Sequence, residues 1–153
     1  MPGFTTSFLF PDINVWVALT HGGHVHHLVA RDWFDSLEAD VRFCFCRFTQ
    51  LGLLRLLTVD AVMGEDVLTQ REAWQVYDNW RADARVHFAD EPAEVEPRFR
   101  SMSRLRQPAP KDWADSYLAA FAGAAQFTLV TFDSGFRGKA KPLLLLSEGD
   151  PRG

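Results

Sequence analysis

Three aspartates at the ends of predicted elements have the types and spacing to do chemistry. Asp12 follows a short apolar strand, and Asp133 follows a second strand rich in β-branched and aromatic residues. Asp115 lies near the start of the alanine-rich helix that precedes this second strand. Because parallel strands of an open α/β sheet present their carboxyl ends at one edge, where binding sites form, we expect Asp12, Asp115 and Asp133 to converge.

Converging carboxylates predict a divalent cation. Carboxylates a few ångströms apart cannot all stay ionised unless something neutralises them, and Mg²⁺ or Mn²⁺ does so with oxygen ligands. Asp112, three residues before Asp115 on the same helix face, is a further candidate ligand, or else a helix N-cap. Gln50, in the first turn of a predicted helix that Thr49 caps, is either a ligand or a capping amide.

The charge balance limits how the protein could bind a polyanion. The net charge is −4, so no global basic field attracts nucleic acid, and contact must come from local clusters. Two basic stretches, residues 98–111 and 137–141, flank in sequence the helix that carries Asp112 and Asp115. They are either phosphate-binding rims or solvated surface. Their candidate contact residues, together with one on the helix of Gln50, are Arg98, Arg104, Arg137, Lys139 and Arg55.

The cysteines and histidines favour no metal site of their own. Cys44 and Cys46 alternate along one predicted strand, which predicts reduced core thiols and excludes a thiolate-bound metal. Four histidines lie within residues 21–27, but no Cys or carboxylate at zinc-like spacing accompanies them, so we interpret them as helix-start or surface residues. The amino terminus shows neither a signal peptide nor a membrane anchor, which predicts a cytoplasmic protein.

Strands alternate with helices along the whole chain. This order predicts one domain over residues 1–153, an α/β fold with three α/β/α layers and a mainly parallel central sheet. Residues 69–72 match a capping box and indicate the start of a later helix. The predicted strands after the first are residues 41–46, 85–90 and 127–132.

Three motifs carry a resemblance to a known family. They are LFPDINVWVAL near the start, CRFTQLGLLRLLT in the middle, and DWADSYLAAFA followed by FTLVTFDSGF. In this order and spacing, over nearly the whole chain, they resemble the PIN-domain family. More narrowly they resemble the VapC toxins of bacterial VapBC toxin–antitoxin pairs, in the branch common in mycobacteria and related actinobacteria.

The resemblance implies a metal-dependent endoribonuclease with a PIN fold. Its acidic site carries over onto Asp12, Asp115 and Asp133, and its cofactor would be Mg²⁺ or Mn²⁺. Family members usually have a Glu where this chain has Gln50, a departure that weakens support for a second metal unless Asp112 compensates. A cation held there would activate water for in-line hydrolysis of a phosphodiester, leaving a 5′-phosphate and a 3′-hydroxyl.

Partners also follow from the resemblance. The substrate would be structured RNA, either tRNA or ribosomal RNA, whose cleavage inhibits translation. A VapB-like antitoxin would lay its carboxyl-terminal segment between the helices predicted at residues 25–37 and 48–57, and Arg55 would contact that tail or a site carboxylate. A homodimer through the later helices is the expected assembly, with no membrane partner.

Two other classes of protein remain open from the sequence. A receiver-type signalling domain shares a parallel α/β fold and an acidic pocket, but it needs a second acidic residue beside Asp12, where this chain has Pro11 and Ile13. A catalytically weak or silent PIN-fold module that binds RNA or antitoxin is the other alternative, which Gln50 favours.

Overall fold

A five-stranded parallel sheet forms the centre of the molecule. The computed structural model describes residues 8–147. All neighbouring strands pair in parallel, in the order β3-β2-β1-β4-β5, so the strand of Asp12 lies directly beside the strand that precedes Asp133. The parallel sheet is confirmed. The strands are β1 (Phe8–Pro11), β2 (Arg42–Phe45), β3 (Val86–Phe88), β4 (Thr128–Thr131) and β5 (Leu143–Leu145).

Helices connect the strands, as parallel neighbours require. No helix within residues 8–147 is long and apolar enough to cross a membrane. Short 3₁₀ helices also occur at Gly64–Asp66 and Ser134–Phe136. The α-helices are α1 (Ile13–Thr20), α2 (His27–Asp35), α3 (Arg47–Leu57), α4 (Asp60–Met63), α5 (Gln70–Ala82), α6 (Val95–Met102) and α7 (Asp112–Ala125).

Alternating side chains on the strands divide the core into two halves. Leu9 and Val130 pack with the α1, α2, α3 and α5 residues on one face of the sheet. Phe10 and Leu129, their neighbours in sequence, pack with α6 and α7 on the other face. Successive strand residues point to opposite faces, so both faces of the sheet are covered. The three-layer α/β/α prediction is therefore confirmed.

The buried thiols belong to the face that α6 and α7 cover. Cys44 and Cys46 are both free and both buried in that half of the core, as predicted. Burial raises the pKa of the Cys44 thiol to about 12, so it stays protonated and behaves as a small apolar side chain.

The two predicted helix starts have different outcomes. The capping box is confirmed, since the Glu72 backbone N–H donates to the Thr69 hydroxyl at 3.2 Å and the Thr69 N–H donates to Glu72 Oε1 at 2.9 Å. The prediction that Thr49 caps its helix is wrong, because α3 begins at Arg47 and Cys46 is the N-cap. The Thr49 hydroxyl instead accepts from the Cys46 N–H at 3.0 Å, and that bond starts the helix earlier.

Candidate metal centre

Asp12 connects the end of β1 to the start of α1. Its Oδ1 accepts a hydrogen bond from the Val15 N–H at 3.1 Å, so the side chain caps the helix. Its Oδ2 accepts from the Thr131 hydroxyl at 2.5 Å, and its own N–H donates to the Val130 carbonyl at 2.9 Å. These bonds fix a carboxylate that is only 7% exposed.

Thr131 joins Asp12 to Asp133. Its hydroxyl donates to Asp12 and accepts from the Asp133 N–H at 3.0 Å. Asp133 is exposed, and its Oδ1 accepts from the Gly135 N–H at 2.7 Å, which caps the 3₁₀ helix Ser134–Phe136. One buried hydroxyl therefore holds the two strand-end aspartates in a fixed relation.

The environment of Asp12 opposes its negative charge. Burial raises the pKa of this carboxyl to about 6, and repulsion from Asp115 adds to the rise. Hydrogen bonds from Thr131, Val15 and Asn14 act in the opposite direction and do not cancel the rise. The groups that bear on Asp12 are thus neutral donors and another carboxylate, a setting that a cation would relieve.

Asp115 lies in the first turn of α7 and is half-buried. Burial raises its pKa, the Asp133 carboxylate raises it further, and Asp112 adds a smaller increase. Lys139 acts in the opposite direction and lowers the pKa. Asp115 therefore interacts electrostatically with both strand-end aspartates.

Asp112 has a cation of its own. Its Oδ1 forms a salt bridge with the Lys139 ammonium, and its Oδ2 accepts from the Ser116 hydroxyl at 2.9 Å. These hydrogen bonds lower the pKa of the Asp112 carboxyl, with Lys139 the larger cause. The alternative role as N-cap is wrong, because α7 begins at Asp112 itself and Lys111 is the cap. Its role as a metal ligand stays a prediction.

Gln50 is buried and its amide oxygen is engaged. The Arg47 guanidinium donates to Gln50 Oε1 at 2.6 Å and also lies over the Phe88 ring, 4.8 Å from its centroid. The side chain thus accepts a charge-assisted hydrogen bond within the first turn of α3. Metal ligation by Gln50 also stays a prediction.

A cavity of about 380 Å³ opens beside the strand-end aspartates. The lining residues are Asp12, Asn14, His24, Val25, His26, Thr131, Phe132 and Asp133.

Sequence reasoning missed Asn14 and Thr131 in this lining, although each is two residues from a predicted aspartate. It interpreted His24 and His26 as helix-start or surface residues.

The donor set of the site fits a hard cation. Within residues 8–147, no three His, Cys, Asp or Glu side chains already stand together as a metal site. Mg²⁺ needs only one or two protein carboxylates, with water and phosphate completing its shell. Asp12 and Asp115 provide carboxylates whose pKa values are raised by burial and by repulsion from neighbouring carboxylates, so the charge and chemistry of the cluster suit such an ion.

The predicted basic contact residues lie in several places. Lys139 contacts α7 directly, through its salt bridge with Asp112. Arg137 is exposed just after the 3₁₀ helix, and Arg98 is exposed on α6. Arg55 lines a groove between α3 and α5, and Arg104 lines another between α6 and the start of α7, so these two do not line the aspartate cavity.

Comparisons with known proteins show which family this chain matches. The sequence profile of the PIN domain matches residues 9–142. Ribonuclease VapC41 of Mycobacterium tuberculosis is 46% identical over 132 residues, which cover 84% of this chain and 90% of that protein.

Solved structures share the same fold at low sequence identity. VapBC2 from Rickettsia felis, bound to a DNA fragment from its promoter, superposes with a TM-score of 0.63 at 14% identity, covering 90% of this chain and 96% of that one. VapC20 of Mycobacterium tuberculosis, a sarcin–ricin loop cleaving toxin, superposes with a TM-score of 0.61 at 17% identity, covering 85% and 93%. At such identities the likeness supports the fold alone.

Proposed function

This chain belongs to the PIN-domain family, and from that premise we propose that it is a metal-dependent endoribonuclease, the toxin of a type II toxin–antitoxin pair. The 46% identity to a protein named Ribonuclease VapC41, over most of both chains, supports the activity. The observation that carries the site is the Asp12–Thr131–Asp133 network at the carboxyl ends of β1 and β4, whose two aspartates interact electrostatically with Asp115. The single domain over residues 1–153 and the cytoplasmic location remain predictions.

The catalytic side chains would be Asp12, Asp115 and Asp133. Together they would hold Mg²⁺ or Mn²⁺, which when bound supplies Lewis-acid activation of water and of the phosphoryl oxygen. Thr131 fixes the Asp12 carboxylate, while the N-terminal turn of α1 orients it from the other side. Lys139 moderates the repulsion around Asp115. Gln50 and Asp112 are engaged with Arg47 and Lys139, which favours one cation over two.

The substrate would be structured RNA, either tRNA or ribosomal RNA. Since the net charge is −4, binding depends on local cations. Arg137 and Lys139 lie near the acidic cluster in sequence, and Lys139 is already coupled to it. Arg98 and Arg104 on the α6 side would extend contact along the RNA backbone. Such contacts give affinity without base specificity.

A VapB-like antitoxin is the proposed protein partner. The groove between α3 and α5 contains Leu51, 61% exposed, and Trp74, 47% exposed, with Arg55 beside them. The location predicted from the sequence, between the helices at residues 25–37 and 48–57, stays a prediction, and Leu28 on α2 is 75% exposed there. Apolar side chains this exposed, next to a cation, suit an amphipathic segment with an acidic residue. A homodimer through the later helices remains a prediction.

The test is cleavage of total tRNA and ribosomal RNA by the purified protein. We expect cleavage with Mg²⁺ or Mn²⁺, loss of cleavage with EDTA, and recovery when the metal is restored. The Asp12→Asn variant is the control for a contaminating nuclease and should be inactive under every condition.

Two results would contradict the proposal. Cleavage that persists in EDTA, or in the Asp12→Asn variant, would exclude this metal site as its source. Absence of cleavage with tight binding of RNA or antitoxin would favour the silent binding module instead. The receiver-domain alternative is set aside by the family assignment.

A further inference from the structure

Two histidines share the cavity of the strand-end aspartates without having a part in the mechanism above. His24 and His26 come from the short connection between α1 and α2, and they line the same space as Asp12 and Asp133. At about 380 Å³ the cavity falls within the range of pockets that hold small organic ligands. It therefore has room for more than a hydrated cation.

One wall of this cavity is an aromatic platform. The His26 ring stacks on the Phe132 ring with centroids 4.3 Å apart and planes 15° from parallel. Phe132 packs partly against the core and directly precedes Asp133, so the platform has a fixed position relative to the carboxylates. Val25, 78% exposed, adds an apolar contact to the same lining.

His24 supplies a directional donor. Its Nδ1 accepts a hydrogen bond from the His26 backbone N–H at 3.0 Å. A backbone N–H can only donate, so the neutral His24 ring carries its proton on Nε2 and offers it as a donor. Burial lowers the pKa of His24, and the neighbouring histidines lower it further, which keeps the ring neutral.

His27 has a different task, although it lies in the same histidine cluster. Its Nδ1 donates to the Ala18 carbonyl at 2.7 Å, which ties the start of α2 to α1. That bond fixes the connection on which His24 and His26 stand. Of the four histidines within residues 21–27, His27 is thus structural, His24 and His26 line the cavity, and His21 is buried outside its lining.

We propose that His24, His26 and Phe132 form a subsite for one nucleobase of the RNA substrate, next to the bond that is cut. This inference rests on the proposed function and names the part of the substrate that the site would read. A flat aromatic surface with a neutral donor is how proteins hold unpaired RNA bases, by stacking and by hydrogen bonds to base edges. The residues that line this cavity include no Lys or Arg to bind a backbone phosphate, so its aromatic wall suits a base.

The test uses a synthetic RNA stem-loop that carries the sequence cut in total tRNA or ribosomal RNA. Versions of this RNA lack the base at one nucleotide at a time on either side of the cut, with the sugar and phosphate retained. Rates are measured for the wild type, the His24→Ala/His26→Ala double variant and the His26→Phe variant. His87→Ala, which removes an exposed histidine on β3, is the matched control.

We expect removal of one particular base to slow the wild type about tenfold, which is within the range for one stacked base. The double variant should cut intact RNA about tenfold more slowly and show no further loss on that base-deleted RNA. The His26→Phe variant keeps an aromatic ring and should retain most of the activity. His87→Ala should behave as wild type on every RNA.

Several results would overturn the subsite. The first is that the double variant cuts intact RNA at the wild-type rate. The second is that the double variant loses as much activity as the wild type on each base-deleted RNA. Normal cutting with lost inhibition by an antitoxin peptide would assign the histidines to the antitoxin. If the double variant is slow but also has a lowered Tm, the His26→Phe variant decides the question. A His26→Phe variant that is inactive at a normal Tm would exclude stacking. Absence of any RNA cleavage by the wild type would instead reject the proposed function, and the subsite with it.

Discussion

Two aspartates of the acidic region show opposite behaviour. Asp112, on α7, is held by Lys139 and Ser116, and the pKa of its carboxyl lies below the ordinary value. Asp12, at the end of β1, is buried among neutral donors and near Asp115, and the pKa of its carboxyl rises to about 6. The residue type is the same, and the surroundings set the difference.

The contrast indicates which part of the region needs a cation from outside. At Asp112 the chain supplies its own ammonium group, so the carboxylate is already neutralised. At Asp12 the folded protein accepts an electrostatic cost that a bound metal would remove. Perturbed carboxylates in a cavity are typical of functional sites, whereas paired ones are typical of structural sites.

The largest expected effect separates these two aspartates by activity. Loss of an outer-shell partner of a metal site already costs about 10–100-fold, so we expect Asp12→Asn or Asp133→Asn to lower RNA cleavage by more than about 100-fold. Asp112→Asn should cost much less, because both of its oxygens are engaged within the protein. Comparable losses in initial rate for all three variants would show that the contrast has no catalytic meaning.

Thr131 provides the next largest effect. Thr131→Val keeps the shape of the side chain but removes the hydroxyl that joins Asp12 to Asp133, so we expect cleavage to fall about 10–100-fold. Thr131→Ser restores the hydroxyl and should recover most of the rate. Equal rates for the valine and serine variants would mean that this bridge does not position the carboxylates.

The pH dependence of the free energy of unfolding tests the electrostatic cost of burying the Asp12 carboxylate. The pKa of this carboxyl is about 6 in the folded protein against the ordinary 3.8, so the folded state holds the proton more tightly. Its contribution to the free energy of unfolding is full below about pH 4 and is lost as the pH rises through 6. Without divalent metal, we expect Asp12→Asn to exceed the wild type by roughly 3 kcal/mol at pH 8 and by little at pH 4.

Urea unfolding in EDTA at both pH values measures this difference. Asp40→Asn, at an exposed position before β2, is the matched control and should show no such pH-dependent gain. If the advantage of Asp12→Asn is the same at pH 4 and pH 8, the buried carboxyl does not carry the cost described.

The smallest expected effect is the change in Tm when the salt bridge between Asp112 and Lys139 is removed. Lys139→Met removes the cation of a salt bridge whose side chains are only 24% and 20% exposed, and it also removes the charge that lowers the pKa of Asp115. We expect Tm to fall more than for Arg100→Met, whose pair with Glu96 is exposed. An equal change in Tm for the two variants, measured by thermal unfolding at pH 7, would mean that the Lys139 pair contributes no more than a surface pair.

Much of the fold and part of the site could be predicted from the sequence. Strand and helix patterns require a parallel sheet, and a parallel sheet brings the ends of β1 and β4 together, which places Asp12 and Asp133. The pairing of Asp112 with Lys139 spans 27 residues and depends on how the segment after β4 returns to α7, so no local pattern shows it. Thr131 was visible as a neighbour of Asp133 but carried no signal of its hydrogen bonds.

The histidines and Gln50 show a second limit. The cavity position of His24 depends on the connection between α1 and α2, which His27 fixes through a contact nine residues away. The Gln50 amide is engaged by Arg47, three residues earlier on the same helix, a spacing that favours side-chain contact. Local spacing could have suggested the contact between Arg47 and Gln50. The contact of His27 with Ala18, by contrast, required the folded chain.

The most direct test of the metal centre is anomalous diffraction from crystals of the protein soaked in Mn²⁺. We expect one strong peak in the cavity beside β1 and β4, at roughly 2.1–2.2 Å from oxygens of Asp12 and Asp133. The same soak of Asp12→Asn crystals should show no peak there. A wild-type peak only at other residues, or an undiminished peak in the variant, would contradict the assignment of these aspartates as the metal-binding site.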